Sequence, residues 1–269
     1  MTNSGSRTTE NDPHPELPCF QELLDRTDWA SLATPYGTGE SLPAALTRLL
    51  DLDPAVREAA AKDSLGEVTH QNSIYEATVP VALYVAAILH HPATAAGEHP
   101  HSADLRPLRH PTRETLLDWL GNTAYDADDE TVAIGERHFD EGFLDACPDM
   151  RAFRELRPLI YTAVQPFLTD DNAKVRDAAL VAALPLIEHH ALIRHRNELA
   201  DHAHRLLSTS TDRRKRDRTL DALNAWGHDT GPLENVHDIA VRELRTRMED
   251  HDSWWAGNGT GGCAEDPLF

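Results

Sequence analysis

At 269 residues with 40% hydrophobic content, the chain is long enough to bury a sizeable core as one solenoid or two small domains. A formal charge of −20, from 45 acidic and 25 basic residues, excludes general affinity for phosphate backbones and favours basic protein partners. Three scattered cysteines (Cys19, Cys147 and Cys263) exclude a disulfide framework or a zinc ribbon.

Residues 1–16 are Ser/Thr/Asn-rich and lack an apolar stretch, so they read as a disordered segment without a signal peptide. Phe20 to Trp29 reads as a short opening helix, and Ser31 to Glu40 as a Pro/Gly loop. Helical periodicity begins at Leu42. Asp53-Pro54 then fits a capping residue followed by proline in the first helical position, with a helix running to about Val68. The longest apolar run, Val79 to Leu89, is too short to span a bilayer, and the chain is expected to be cytoplasmic. Arg113-Glu114-Thr115-Leu116-Leu117 opens another helix with Thr112 as its expected cap, and further helices follow in 150–189, 192–227 and from Val236 to Met248. Ala and Leu dominate the apolar stock and runs of Val, Ile, Thr and aromatics are missing, so the expected class is all-α.

The helices carry a rhythm. Val175-Arg176-Asp177-Ala178-Ala179 echoes Val56-Arg57-Glu58-Ala59-Ala60, and Arg216-Asp217 follows Arg176-Asp177 by forty residues. With Arg57, Arg113, Arg176 and Arg216 as equivalent marks, the spacings are 56, 63 and 40. A unit of about forty then implies insertions of roughly 16 and 23 residues. Residues 92–107, rich in Pro, His, Gly and Ala, and residues 126–149, with nine acidic side chains and one arginine, supply them.

Asp171, Val175 and Arg176, and more loosely Asp53, Val56 and Arg57, resemble the turn-and-second-helix hallmark of HEAT repeats, although Lys215 replaces the expected Val in the last unit. Residues 29–37 and 70–78 resemble stretches in actinobacterial HEAT-repeat proteins without an established activity. The resemblance covers roughly 42–248 and implies an α-α superhelix of about four helix pairs, with two insertions and a C-terminal capping helix. Residues 17–250 would form this single domain and 251–269 a flexible Gly-rich tail. The family implies a binding scaffold with no catalytic residues.

Candidate partner-binding residues fall in two places. The first comprises Tyr36 and the connector residues His70, Gln71 and Tyr75, polar or aromatic groups able to order a turn or present a recognition edge. The second is the acidic insertion, where Asp128, Asp129, Glu130, Asp140 and Glu141 would form a flap suited to a basic cleft. The basic cluster of Arg213, Arg214 and Arg216 at a helix start is a candidate anion site. The histidines between His189 and His204 lack HExxH spacing, so no metal is expected, and the absence of Gly-rich phosphate loops leaves no expected cofactor.

The leading functional expectation is a non-enzymatic scaffold that binds another protein with a basic surface, in its specific version an immunity or antitoxin-type inhibitor. The alternative is a HEAT-like DNA glycosylase, for which Trp119, Trp226 and the Arg213 to Arg218 cluster are the available material.

Overall fold

The computed structural model describes residues 17–95, 111–139 and 142–257, with side chains described through His138 in the middle segment and through Met248 at the C-terminal end. The expected disordered start, most of the 92–107 insertion, Asp140, Glu141 and residues 258–269 lie outside the described residues. The chain divides into two compact units, Met1–His202 and Ala203–Phe269.

The first unit is mainly α. It opens with α1 (Phe20–Arg26), a two-residue-strand hairpin of β1 (Ala33–Thr34) and β2 (Gly37–Thr38), and then α2 (Leu42–Thr47) and α3 (Pro54–Glu67). It continues through α4 (Thr78–Ile88), α5 (Pro92–Ala95), α6 (Thr112–Tyr125), α7 (Asp129–Phe139), α8 (Phe143–Ala146), α9 (Pro148–Glu155), α10 (Arg157–Val164) and α11 (Ala173–Leu186). Helix α12 (Arg196–Thr209) spans the division, and the second unit holds α13 (Arg213–Ala225) and α14 (Val236–Gly257). Among the described residues no helix is long and apolar enough to cross a membrane.

The most regular feature is a turn built three times from the same chemistry. At the start of α3 the Asp53 carboxylate accepts from the Ala55 N–H at 2.9 Å, while the Asp53 N–H itself donates to Asp51 Oδ1 at 2.8 Å. Four residues after the cap, Arg57 folds back and donates from Nη1 to the carbonyls of Asp51 (2.6 Å) and Leu52 (3.1 Å). At α11 the same parts are Asp170, the cap Asn172 and Arg176, whose Nη1 reaches the carbonyls of Asp170 (2.6 Å) and Asp171 (2.9 Å). At α13 they are Ser210, the cap Asp212 and Arg216. The physical logic is shared. A carboxamide or carboxylate satisfies a first-turn amide, and a guanidinium satisfies turn carbonyls that would otherwise be lost to water on burial.

Arg113 breaks the series. Pro111 precedes α6 and Thr112 is the first residue inside it, so Thr112 does not cap. Its hydroxyl instead accepts from Arg57 Nε at 3.1 Å, linking α3 to α6. Arg113 donates to the Leu89 carbonyl at 2.9 Å, stacks over Phe167 at 4.6 Å and meets Asp170 at 3.5 Å. It joins elements of the fold and does not clamp its own turn.

Helix α6 runs closest to α11. A Cβ on Gly121 would lie 3.0 Å from the Ala182 Cα, so glycine against alanine lets the two backbones approach. Around this contact α3 meets α6, α10 meets both α4 and α11, and α1 meets α4, where Phe20 sets its edge against Tyr84 at 6.1 Å. The core is built of small and branched aliphatics on these faces, among them Leu116, Leu117, Leu120, Ala178, Ala182 and Leu186.

Arg57 is 1% exposed, so replacing it with an isosteric apolar side chain leaves two turn carbonyls unpaired. Arg57→Met is therefore expected to lower unfolding free energy by about 2–3 kcal/mol, read from urea titrations. The half-buried Arg176→Met should cost less, and loss of equal size at both positions would contradict the burial argument.

Candidate functional site: a pair of stitched turns

Two turns 34 residues apart in sequence meet in the first unit. In the first, β1 and β2 pair Ala33 with Thr38 and Thr34 with Gly37, which leaves Pro35 and Tyr36 as the loop. The Thr34 hydroxyl accepts from the Tyr36 N–H at 3.2 Å and holds the tip. The region expected to be an irregular Pro/Gly loop is thus a hairpin.

The second turn lies in the connector from α3 to α4. His70 and Ser73 form a β-bridge, with the Ser73 N–H donating to the His70 carbonyl at 3.1 Å. Its central residues, Gln71 and Asn72, have φ of 49° and 57°. Two consecutive non-glycine residues in the left-handed region cost about 1–2 kcal/mol each, a strain asparagine bears better than glutamine. Behind the tip, Thr78 is buried and closes the connector. Its hydroxyl donates to the Val68 carbonyl at 3.0 Å and accepts from the Tyr75 N–H at 3.0 Å.

Direct bonds fasten one turn to the other. The Ala33 N–H donates to Glu76 Oε2 at 2.9 Å, and the Ala77 N–H donates to the Ala33 carbonyl at 3.2 Å. The rings of Tyr36 and His70 then meet edge-on with centroids 5.9 Å apart. Tyr36 nevertheless stays 69% exposed, whereas Trp29, at the other end of the same loop, is 5% exposed and donates to the Leu24 carbonyl. Trp29 is therefore core, and Tyr36 is held out to solvent. Of the sequence candidates, Tyr36, His70 and Gln71 converge on this edge, and Tyr75 lies half-buried at its base. Glu76 and Asp149 add negative charge beside it: burial and the neighbouring Glu76 carboxylate both push the Asp149 carboxyl up.

The acidic segment differs from the expected flap. Residues 129–139 are helix α7, and acids in its first turn with Arg137 and His138 in its last suit the helix macrodipole. Asp128 accepts from the Thr131 N–H at 2.7 Å. Asp129 pairs with Arg154 at 2.5 Å and lies 3.7 Å from Arg157. Both carboxylates are spent on structure, while Glu130 remains exposed.

This region has its own buried charge cluster. Arg157, 1% exposed, donates to the Ala127 carbonyl and meets Glu188 at 3.3 Å, and the Asp129 N–H donates to the same Glu188 carboxylate at 2.9 Å. Burial raises the Glu188 carboxyl to about 7 despite the attraction of Arg157.

The basic cluster also divides. Arg216 is 3% exposed and donates to the carbonyls of Leu207, Ser210 and Leu233 and to Asp238, so it is not available to an anion. Burial alone would raise the Asp238 carboxyl, but the bonds from Arg216 and the Asn235 N–H hold it below the usual range. Arg213 and Arg214 are exposed and have no ion-pair partner among the described residues. Among those residues no group of three His, Cys, Asp or Glu side chains converges as metal ligands would.

Glu188 has a folded-state pKa above its unfolded value, so the native chain holds an extra proton between roughly pH 4.3 and 7. Its contribution to stability is present at low pH and is lost as pH rises through that window, a change of about 3–4 kcal/mol. Glu188→Gln should remove this part of the pH slope in urea unfolding between pH 5 and pH 8. A slope unchanged from the parent chain would show that Glu188 titrates normally. Comparisons with protein-family models, with curated proteins and with solved structures return no match.

Proposed function

We propose that the protein is a non-enzymatic binding scaffold whose stitched turns grip another protein with a basic surface. The observation that carries the reading is Tyr36, an exposed aromatic held at the tip of one turn against His70 on another. Aromatics with few rotamers make strong interface anchors at small entropic cost, and backbone strain of the kind at Gln71-Asn72 is retained where a site needs it. Glu76 and Asp149, like charges beside the edge, would both be relieved by a cation from the partner. An acidic chain of charge −20 would also speed encounter with such a partner. In its specific form the scaffold is an immunity-type inhibitor of a basic toxin domain.

For the architecture we propose a HEAT-like stack within the first unit. The contacts of α3 with α6 and α6 with α11 would form one layer, and those of α4 with α10 the other. The glycosylase reading loses support, because Trp119 is buried with its indole N–H donating to Thr69 Oγ1 at 2.9 Å, and Arg216 is consumed by its turn.

Placing a photo-crosslinking residue at position 36 in the organism of origin should trap one basic protein, with a yield that falls steeply as salt rises. Tyr36→Ala should weaken the purified pair at least tenfold, about 1.4 kcal/mol. Gln71→Gly should act in opposite directions, raising stability by about 1 kcal/mol while weakening binding. Crosslinks that survive high salt, or a Gln71→Gly variant that binds normally, would remove the turns from the interface.

A further inference from the structure

The second unit carries a surface of a different chemistry, independent of the stitched turns. A cleft of about 310 Å³ lies between α13 and α14, lined by Arg213, Arg214, Asp217, His237, Asp238 and Val241. Both carboxylates in its wall are already engaged. Asp217 pairs with Arg245 at 2.5 Å, and Asp238 pairs with Arg216 at 2.5 Å. The two guanidinium groups of Arg213 and Arg214 are left, exposed and without ion-pair partners among the described residues. They stand in the first turn of a thirteen-residue helix, where backbone amides add to the positive field.

An apolar track leads out of this cleft along α14. Val241, Leu244 and Met248 are 39%, 54% and 60% exposed and follow one another at helical spacings of three and four. The arginines of this helix are already paired, Arg242 with Glu234, Arg245 with Asp217 and Asp221, and Arg247 with Glu243, so the unpaired positive charge at the cleft is that of Arg213 and Arg214.

We infer that this surface docks an acidic amphipathic helix of another protein. Carboxylates at one end of that helix pair with Arg213 and Arg214, and its apolar residues at spacings of three and four pack on Val241, Leu244 and Met248. Charge complementarity selects this occupant. Planar guanidinium groups take carboxylates in paired hydrogen bonds, and an apolar stripe with 3-4 spacing matches the knobs of another helix.

The test is selection of a displayed random sixteen-residue peptide library on the full chain. The selected peptides should be rich in Asp or Glu at one end, with apolar residues three and four apart. Arg213→Glu combined with Arg214→Glu should weaken their binding at least tenfold, and so should Leu244→Asp with Met248→Asp. The charge-reversed variant should melt no lower than the parent, since acids suit a helix N-terminus. Tyr36→Ala should bind these peptides normally, so failure here and failure of the stitched turns are separable. The inference is overturned if no peptide is selected, if the selected peptides lack acids, or if charge reversal leaves affinity unchanged. It is equally overturned if the Leu244 and Met248 stripe is found covered by a second copy in sedimentation equilibrium or by phosphatidylglycerol vesicles.

Discussion

The constraint on which the rest depends is the disposal of turn carbonyls at helix starts. Each clamped turn gathers main-chain oxygens on one guanidinium, and a carbonyl that is buried without a partner costs about 1–3 kcal/mol. Arginine meets that need with a fixed fork of donors that a lysine cannot supply. Arg57 reaches two such carbonyls and a hydroxyl on α6, Arg176 reaches two, and Arg216 reaches three and a carboxylate. The long-range bond from Arg57 to Thr112 shows how a local clamp also sets the position of the next helix.

Basic side chains are outnumbered by acids 25 to 45 in this chain, and where the arginines are used decides what remains unpaired. Arg154 and Arg157 join in holding the Ala127 carbonyl and the Asp129 carboxylate, and Arg245 bridges Asp217 and Asp221. These pairings neutralise acids that stand at the surface. What structural demands leave over is an exposed tyrosine on a strained pair of turns, and two adjacent arginines at the mouth of a cleft.

The sequence made much of this legible, for identifiable reasons. The echo of Arg57 in Arg176 and Arg216 is real, because a cap four residues before an arginine is a local device with fixed spacing. Arg113 stands at a helix opening like the others, yet the residue before α6 is Pro111, which has no side-chain acceptor to cap the helix, and Arg113 goes to Leu89 and Phe167. The segment 126–149 reads as an acidic insertion because its charge masks the helical periodicity of Asp129–Phe139. Val132 is buried, and Asp129 is compensated by arginines 25 and 28 residues later, which no local window contains. The convergence of Tyr36 on His70 was not readable either, since it depends on Glu76 and Ala77 bonding to Ala33 across the chain.

Strain and exposure at the stitched turns carry a further implication about how such an edge persists. Gln71 and Asn72 each occupy a conformation that glycine would adopt freely, so the turn is held by its surroundings and not by local preference. The Thr78 hydroxyl, bonded to both sides of the connector, and the Glu76 carboxylate, bonded to the opposite turn, supply that hold. A turn over-determined in this way presents its side chains with little freedom left to lose. Binding through it would then draw on contact area and charge without first paying to order the loop, the condition under which a small edge grips firmly.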